Sequence, residues 1–462
     1  MAIIMIVKTS DLFDYNRSDP EYYLPNHRTI ESYLEKVPTL LLGSLGNFTC
    51  SAFYPAATHL YNNDGRPFLR CVDIIEHPII SADQSFARIP VSFANKYGTI
   101  RHLKSGDIVI SKVGTPCYAS LLNDDIEIAA MTRTVMGMRN IDTALVDPFY
   151  LVAFLRSKYG YDQLMREREL TIQYQLTLDR TRKIKVFIPD PGIQNEIGNM
   201  MRQYYKNIEE SKEYYAQAQK LLETELGLDN LRLEGSPCYT TNYSNIFLNN
   251  RADADYYQIP FIQIHKHLDK LNTVNLSSLV RIVKGIEVGS RLYVDDGKIF
   301  LRVSNITEKG IKLSSSDKYI SKETFYSLAP AYQPKVGELI LTKDGTAGTC
   351  LVVDEEIEGI ISGGMVRLIR KSKDIPLEYL ALVINSKACR MQVEQCCSGA
   401  LILHWKLESI RKLRIPILPL PKMQAIAELV ACSKDKMRQS EKLFEKAKSR
   451  VEQLIEEGCP DI

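Results

Sequence analysis

The chain has 462 residues, room for about three domains of ordinary size. Apolar residues make up 45% and charged residues 25%, the balance of a folded chain and not of a long disordered one. Lys and Arg number 58 against 56 Asp and Glu, a formal +2, so whole-chain charge marks no nucleic-acid or anionic-surface binder and any basic footprint must be local. The ten cysteines include no C-x-x-C pair and fit free thiols of a reducing cytoplasm better than a disulfide framework or a zinc site. The apolar opening from Met1 to Val7 is too short for a signal-peptide core, and no stretch approaches the ~18 apolar residues of a bilayer span. A cytoplasmic protein without a membrane partner is expected.

Taken in chain order, the landmarks occur twice. Arg17, Asp19, Tyr22 and Tyr23 return 234 residues later as Arg251, Asp253, Tyr256 and Tyr257. Leu69 and Arg70 return as Leu301 and Arg302. The run from Gly106 through Lys112, Gly114 and Thr115 returns as Gly337 through Lys343, Gly345 and Thr346. Tyr150 and Leu151 followed by Ser157 and Lys158 return as Tyr379 and Leu380 followed by Ser386 and Lys387. Pro189, Pro191 and Gln194 return as Pro419, Pro421 and Gln424. The order is kept while the offset drifts from 234 to 229, which makes the chain a tandem duplication of a unit of roughly 230 residues.

Within each unit, Asp107–Lys112 and Glu338–Thr342 read as strands between Gly-rich breaks. Pro148–Met165 and Leu377–Cys396 have helical periodicity. After the prolines comes one long polar helix. In the second unit Ile426, Val430, Ser433, Met437, Ser440, Phe444, Ala447, Val451 and Leu454 step alternately by four and three, a seam 29 residues or about 43 Å long. In the first, Ile193, Ile197, Met200, Tyr204, Ile208, Ser211, Tyr215, Ala218 and Leu222 step almost as regularly, one residue out of strict register. Two matching stripes favour pairing with each other. The expected fold is α+β: a tandem duplication of a globular domain plus a long helix, the two helices pairing as an antiparallel coiled coil. The expected boundaries are 1–190, 191–230, 231–418 and 419–462, with the globular parts at opposite ends of the paired helices.

No motif for chemistry stands out. There is no GxxxxGK[ST], no GxGxxG, and no Asn-Pro-Pro-aromatic or Asp-Pro-Pro-Tyr tetrapeptide. His265 and His267, two apart, would share one face of a strand but lack a third ligand nearby, which favours packing over metal. No catalytic residue, metal or cofactor of its own is expected.

The arrangement of globular unit, long helix, globular unit and long helix resembles the specificity subunit of a Type I restriction–modification system over nearly the whole chain. The resemblance is carried by the R-x-D-x-x-Y-Y openings, Leu301 to Ile306, Gly337 to Thr346, Ser398 to Ala400 with His404, and Leu413 to Pro421 running into the helix. It implies two target-recognition domains, each reading one half of a split, asymmetric site in double-stranded DNA. The helices then act as spacer and as dock for two DNA methyltransferase (modification) subunits, with a restriction/translocase subunit joining the complex. S-adenosylmethionine, ATP and Mg would reside on those partners. The first half departs from the pattern, with Arg168 to Leu170 where the second has Ser398 to Ala400, and Pro116 where it has Ala347.

On that reading the Lys-x-Gly-Thr turns, Lys112, Gly114 and Thr115 with Lys343, Gly345 and Thr346, are candidate DNA contacts, although they fit simple β-turn closures equally well. Arg70 and Arg302 are further candidates, with pairing to Asp73 or Glu308 as the structural alternative. Arg180, Arg182 and Lys183 belong to a local basic patch. The stretch from Arg411 to Arg450 carries eleven cations against four carboxylates. Polar stretches found in one half only, Tyr61 to Arg66 and Ser314 to Lys318, are candidates for differing specificity. Ile197, Tyr204, Tyr215, Leu222, Val430, Met437, Phe444 and Val451 are the seam and docking candidates. The paired tyrosines recur in both halves, which favours domain packing over base stacking. A coiled-coil adaptor that binds proteins, a subunit of a fused methyltransferase–nuclease outside the Type I group, and a degenerate methyltransferase remain as alternatives.

Overall fold

The computed structural model describes residues 7–9, 17, 19–114, 117–169, 174–314, 316–397 and 403–458. Its contacts form two compact units: Met1–Ile208 together with Met437–Ile462, and Glu209–Lys436.

In the first unit the main sheet has the strand order Asn47–Cys50, Val135–Arg139, Ile108–Ser111, Ala119–Leu122 and Ile79–Ile80. A second sheet runs Arg88–Ile89, Arg66–Leu69, Ile128–Met131 and His102–Lys104. The alternation of a strand shows how these layers are held. Ile108 and Ile110 enter the core shared with the helices, while Val109 points into a separate core with Leu69, Leu103 and Met131. A strand buried on both faces needs an apolar run, and Ile108, Val109 and Ile110 supply it ahead of Ser111, whose buried hydroxyl accepts from Tyr118 N at 3.0 Å.

The second unit repeats the plan. Its main sheet runs Val280–Lys284, Met365–Arg370, Leu339–Thr342 and Cys350–Val352, and its second sheet Tyr293–Val294, Lys318–Ile320, Lys298–Leu301 and Gly359–Ile361. Leu339 and Leu341 join the helix-side core and Ile340 the other. Each second sheet contains one parallel pair at the equivalent place, Phe68 beside Ala130 and Phe300 beside Ile360.

Side-chain hydrogen bonds recur as well. Tyr150 Oη donates to Phe187 O at 2.7 Å and Tyr379 Oη to Pro416 O at 3.0 Å. Gln163 Oε1 accepts from Lys185 N and Gln392 Oε1 from Arg414 N, both at 3.0 Å. The helical segment expected over Pro148–Met165 is two helices, Pro148–Arg156 and Lys158–Arg166, and its counterpart is Leu377–Asn385 and Lys387–Cys396. Ser157 and Ser386 adopt extended backbone at the break, and each Oγ donates to the carbonyl three residues back.

The R-x-D-x-x-Y-Y openings are packing knots, as their recurrence suggested. Tyr22 and Tyr23 meet edge-on at 5.2 Å, and Tyr256 and Tyr257 at 5.0 Å. Arg17 pairs with Asp19 and lies over the Tyr22 ring at 4.7 Å; Arg251 pairs with Asp253 and lies over Tyr256 at 4.8 Å. Tyr23 Oη donates to Arg17 O, and Tyr257 Oη to Arg251 O.

The long helices are Pro191–Glu225 and Leu420–Glu456. In the first unit Tyr204 meets Phe444 at 5.5 Å and Arg450 reaches Glu196, so residue numbers run in opposite directions along the pair. In the second unit Lys436 meets Glu210, Ser433 meets Ser211 and Lys422 meets Glu225, again antiparallel. Ile197, Met201, Val451 and Leu454 merge with the first unit's core, and Ala218, Leu222, Ile426 and Val430 with the second's. The first helix buries Met201 and Asn207 where strict stepping favoured Met200 and Ile208, because its register shifts by one residue about Tyr204.

One packing contact carries a pH consequence. The helix Pro25–Leu34 presents His27, buried beside Arg166 and Arg168 with its Nδ1 atom unpaired. Burial first, and then those two guanidinium charges against the weaker pull of Glu31, push its pKa from 6.5 down to about 4. The folded state thus keeps His27 neutral where the unfolded chain protonates it. Its contribution to stability is complete above pH 6.5, falls on acidification, and is fully lost only once the pH has dropped below about 4. His27→Phe, the residue the second repeat carries as Phe261, is expected to flatten this part of the curve, read as the difference in melting temperature between variant and wild type from pH 7.5 to 4.5.

Candidate functional site

In each unit the Lys-x-Gly turn leaves the middle of the main sheet, after Ile108–Ser111 in the first and Leu339–Thr342 in the second. The backbone holds both turns alike. Lys112 N and Val113 N donate to Thr134 O at 2.9 and 3.2 Å; Lys343 N and Asp344 N donate to Gly364 O at 2.9 and 3.2 Å. Leu176 N donates to Lys112 O at 2.9 Å, and Trp405 N to Lys343 O at 2.8 Å. Isolated antiparallel bridges join Val113 to Gln175 and Asp344 to His404. Gly114 at φ +85° and Gly345 at φ +64° occupy the left-handed region that favours glycine. The turn closes at Cys117 in one repeat and Gly348 in the other, each donating its N–H at 2.9 Å, to Ser111 O and Thr342 O respectively.

The side chains on the turns differ. Lys112 Nζ lies 3.8 Å from Cys50 Sγ. Lys343 Nζ lies 2.6 Å from Asp344 Oδ2, whose Oδ1 lies 2.8 Å from His404 Nδ1. Thr346 is exposed, and its carbonyl accepts from Thr342 Oγ1. Thr115 lies outside the described residues.

Arg70 and Arg302 stand beside these turns at equivalent places, capping the short helices Cys71–Ile75 and Val303–Asn305. The next residue touches the turn in the first unit and lies close to it in the second. Cys71 Sγ is 2.9 Å from Val113 O, and a Cβ on Gly345 would lie 3.8 Å from Val303. Arg70 takes its structural alternative: its Nη2 meets Asp73 Oδ1 at 2.9 Å and its own backbone N–H meets Asp73 Oδ2 at 2.8 Å. The hydrogen bond to Asp73, against burial, holds the Arg70 guanidinium above its ordinary pKa. Arg302 does not pair with Glu308, as its alternative had it. It donates to Ser316 O at 2.8 Å, while Glu308 pairs with Arg390 and accepts from Tyr215 Oη. Glu308 is thus taken by a cation 82 residues away, which local spacing does not reveal.

The basic patch is largely matched by carboxylates. Arg180 lies 3.0 Å from Glu169 and 3.5 Å from Glu167, and Arg182 lies 3.2 Å from Asp179; Lys183 is exposed. On the second long helix Lys422, Lys434, Lys436, Lys448 and Arg450 all have acidic partners. Of the stretches found in one half only, Arg66 bonds Asn95 at 2.6 Å and Asp317 accepts from Ser314 N at 2.7 Å; Ser315 lies outside the described residues. Ile197, Tyr204, Leu222, Val430 and Val451 are buried, and Tyr215, Met437 and Phe444 half-buried, so these side chains build the helix seam. His265 and His267 sit on the helix Ile259–Leu268, not on a strand, and bond Gln395 Oε1 and Leu226 O. Among the described residues no cluster of three metal-ligating side chains occurs. No described helix is long and apolar enough to cross a membrane.

No protein-family model and no curated protein sequence matches the chain. Among solved structures it is similar to the Type I restriction–modification S subunit from M. genitalium, at 12% identity over 92% of this chain and 96% of that one, with a TM-score of 0.42. It is also similar to the HsdS subunit from Thermoanaerobacter tengcongensis, at 14% identity over 92% and 97% with a TM-score of 0.30. A third likeness is to a structure of complex assembly and conformational transition in the type I R-M system, at 13% identity over 91% and 98% with a TM-score of 0.32. Likenesses this loose carry no residue across. The duplicated turns stand on the chain's own contacts.

The cap geometry orders two variants. Asp73 serves both the Arg70 backbone and its guanidinium, so Asp73→Ala is expected to destabilise the first unit by about 1–3 kcal/mol, and Arg70→Ala, which leaves the backbone cap in place, by less. Urea denaturation followed by circular dichroism checks the order.

Proposed function

We propose that this chain is the DNA-sequence-recognition subunit of a Type I restriction–modification complex. Each globular unit reads one half of a split, asymmetric site. The long helices set the spacing between the halves and dock methyltransferase subunits on their outer faces. The chain performs no chemistry itself; methyl transfer with S-adenosylmethionine, and ATP- and Mg-dependent translocation and cleavage, belong to the partners.

One observation carries this reading. Two units hold a glycine turn by the same backbone bonds beside the same arginine cap, yet dress it with different side chains. A constant frame with variable polar groups is what two readers of different sequences require, since framework contacts position and side chains specify. The antiparallel long helices support the spacer role.

Long-read sequencing of modified adenines in cells carrying this gene beside its methyltransferase, against a deletion of the gene, tests it. A split methylated motif that vanishes on deletion is expected, and exchange of residues 1–190 should alter one half of the motif only. An unchanged methylation pattern would move the protein-binding adaptor ahead. A second expectation concerns Lys112, whose ammonium meets a thiol and not a carboxylate. Lys112→Ala should weaken binding to all duplexes alike and lower the slope of log K against log salt by about one, read by fluorescence anisotropy.

A further inference from the structure

The second unit's turn carries a side-chain triad that the first lacks. Lys343 Nζ contacts Asp344 Oδ2 at 2.6 Å, and Asp344 Oδ1 contacts His404 Nδ1 at 2.8 Å. At the equivalent places the first unit has Lys112, Val113 and Gln175. The triad is not what holds the turn. Both units bridge the turn to the strand-like segment behind it through the backbone, Val113 to Gln175 and Asp344 to His404, and in the first unit no side-chain triad accompanies that bridge. The first unit does so with an apolar side chain where the second has a carboxylate.

A carboxylate on a turn that faces a polyanion repels phosphate unless it meets a donor. Lys343 and His404 hold it in place, and they do so at the expense of the charge Lys343 would otherwise offer to a phosphate. An ionised carboxylate only accepts hydrogen bonds, and with two acceptor positions occupied it retains others. In the major groove the amino donors are cytosine N4 and adenine N6. Adenine places its N7 acceptor beside N6, which suits an amide with donor next to acceptor and disfavours a carboxylate; cytosine has only carbon beside N4.

We propose that Asp344 is a specificity-determining residue that accepts a hydrogen bond from the N4 amino group of a cytosine in the half-site of the second unit. Lys343 and His404 are its positioning residues. The first unit's turn, with Val113, reads no amino group at this place. The proposal rests on the DNA-reading role above and adds the residue and the base.

The test maps the methylated-adenine motif in cells carrying the gene beside its methyltransferase, for wild type, Asp344→Val and Asp344→Asn. Valine is the residue the first repeat accommodates here, and asparagine is isosteric, so a folding defect in one leaves the other informative. The expected result is that Asp344→Val makes one C·G position degenerate, in the half that moves with residues 231–418, and leaves the other half unchanged. Asp344→Asn should shift that position toward A·T. An unchanged motif in both variants, loosening at an A·T position or in the first half, or loss of all methylation in both, overturns the assignment to Asp344 while the DNA-reading role stands. No split motif with the unaltered gene overturns the role itself.

Discussion

A helix of 35 residues with one apolar stripe does not persist alone in water; its stripe must be covered. Here the cover is a second helix running the other way, and antiparallel pairing decides where each end lands. The start of Pro191–Glu225 packs with the end of Leu420–Glu456 in one unit, and the end of the first packs with the start of the second in the other. Each unit is therefore completed by helix segments from both repeats. Apolar seam residues join the core of their own unit, and Asn207, Ser211, Ser433 and Ser440 are buried polar positions on the same helices. Buried serines bonded to one another, Ser433 to Ser211 O at 2.7 Å, disfavour a slipped register that would strand a hydroxyl against an apolar neighbour.

The repeats also show which contacts a fold demands and which it merely permits. The helix Pro25–Leu34 meets Lys158–Arg166 through the ion pair of Glu31 with Arg166 at 3.2 Å. Its counterpart meets Lys387–Cys396 through His265 and Gln395 at 2.7 Å, a contact without a carboxylate or guanidinium. The two changes compensate: a lone glutamate or arginine at a half-buried contact would cost several times what the neutral pair does. The tyrosine hydroxyls that bind Phe187 O and Pro416 O, by contrast, did not change chemistry at all.

Much of this was legible in the residues. The duplication, the α+β class and the helix pairing follow from landmarks and stepping that local sequence carries. The tyrosine knots were legible because the same residues recur whatever each half is for. What was hidden is non-local. Glu308 is paired with Arg390, not Arg302, and Arg367 is buried against Glu338 at 2.7 Å; neither partner lies within reach of any local pattern. His265 and His267 read as a strand face because spacing of two carries no information about the helix that Phe261, Ile264 and Leu268 anchor. The joining of Asp344 to His404 spans 60 residues and became visible only with the turn in place.

The way the first unit is closed has a consequence during synthesis. Its core contains Ala447, Val451, Leu454 and Ile455 alongside Tyr150 and Ile197. A ribosome makes Met437 roughly 230 residues after Ile208, a delay on the order of ten seconds or more at about 5–20 residues per second. The second unit, Glu209–Lys436, is continuous in the chain and needs no such wait. The domain translated first is thus the one finished last, and until then the stripe of Ile197 and Met201 stands open to whatever chaperone or neighbouring nascent chain meets it.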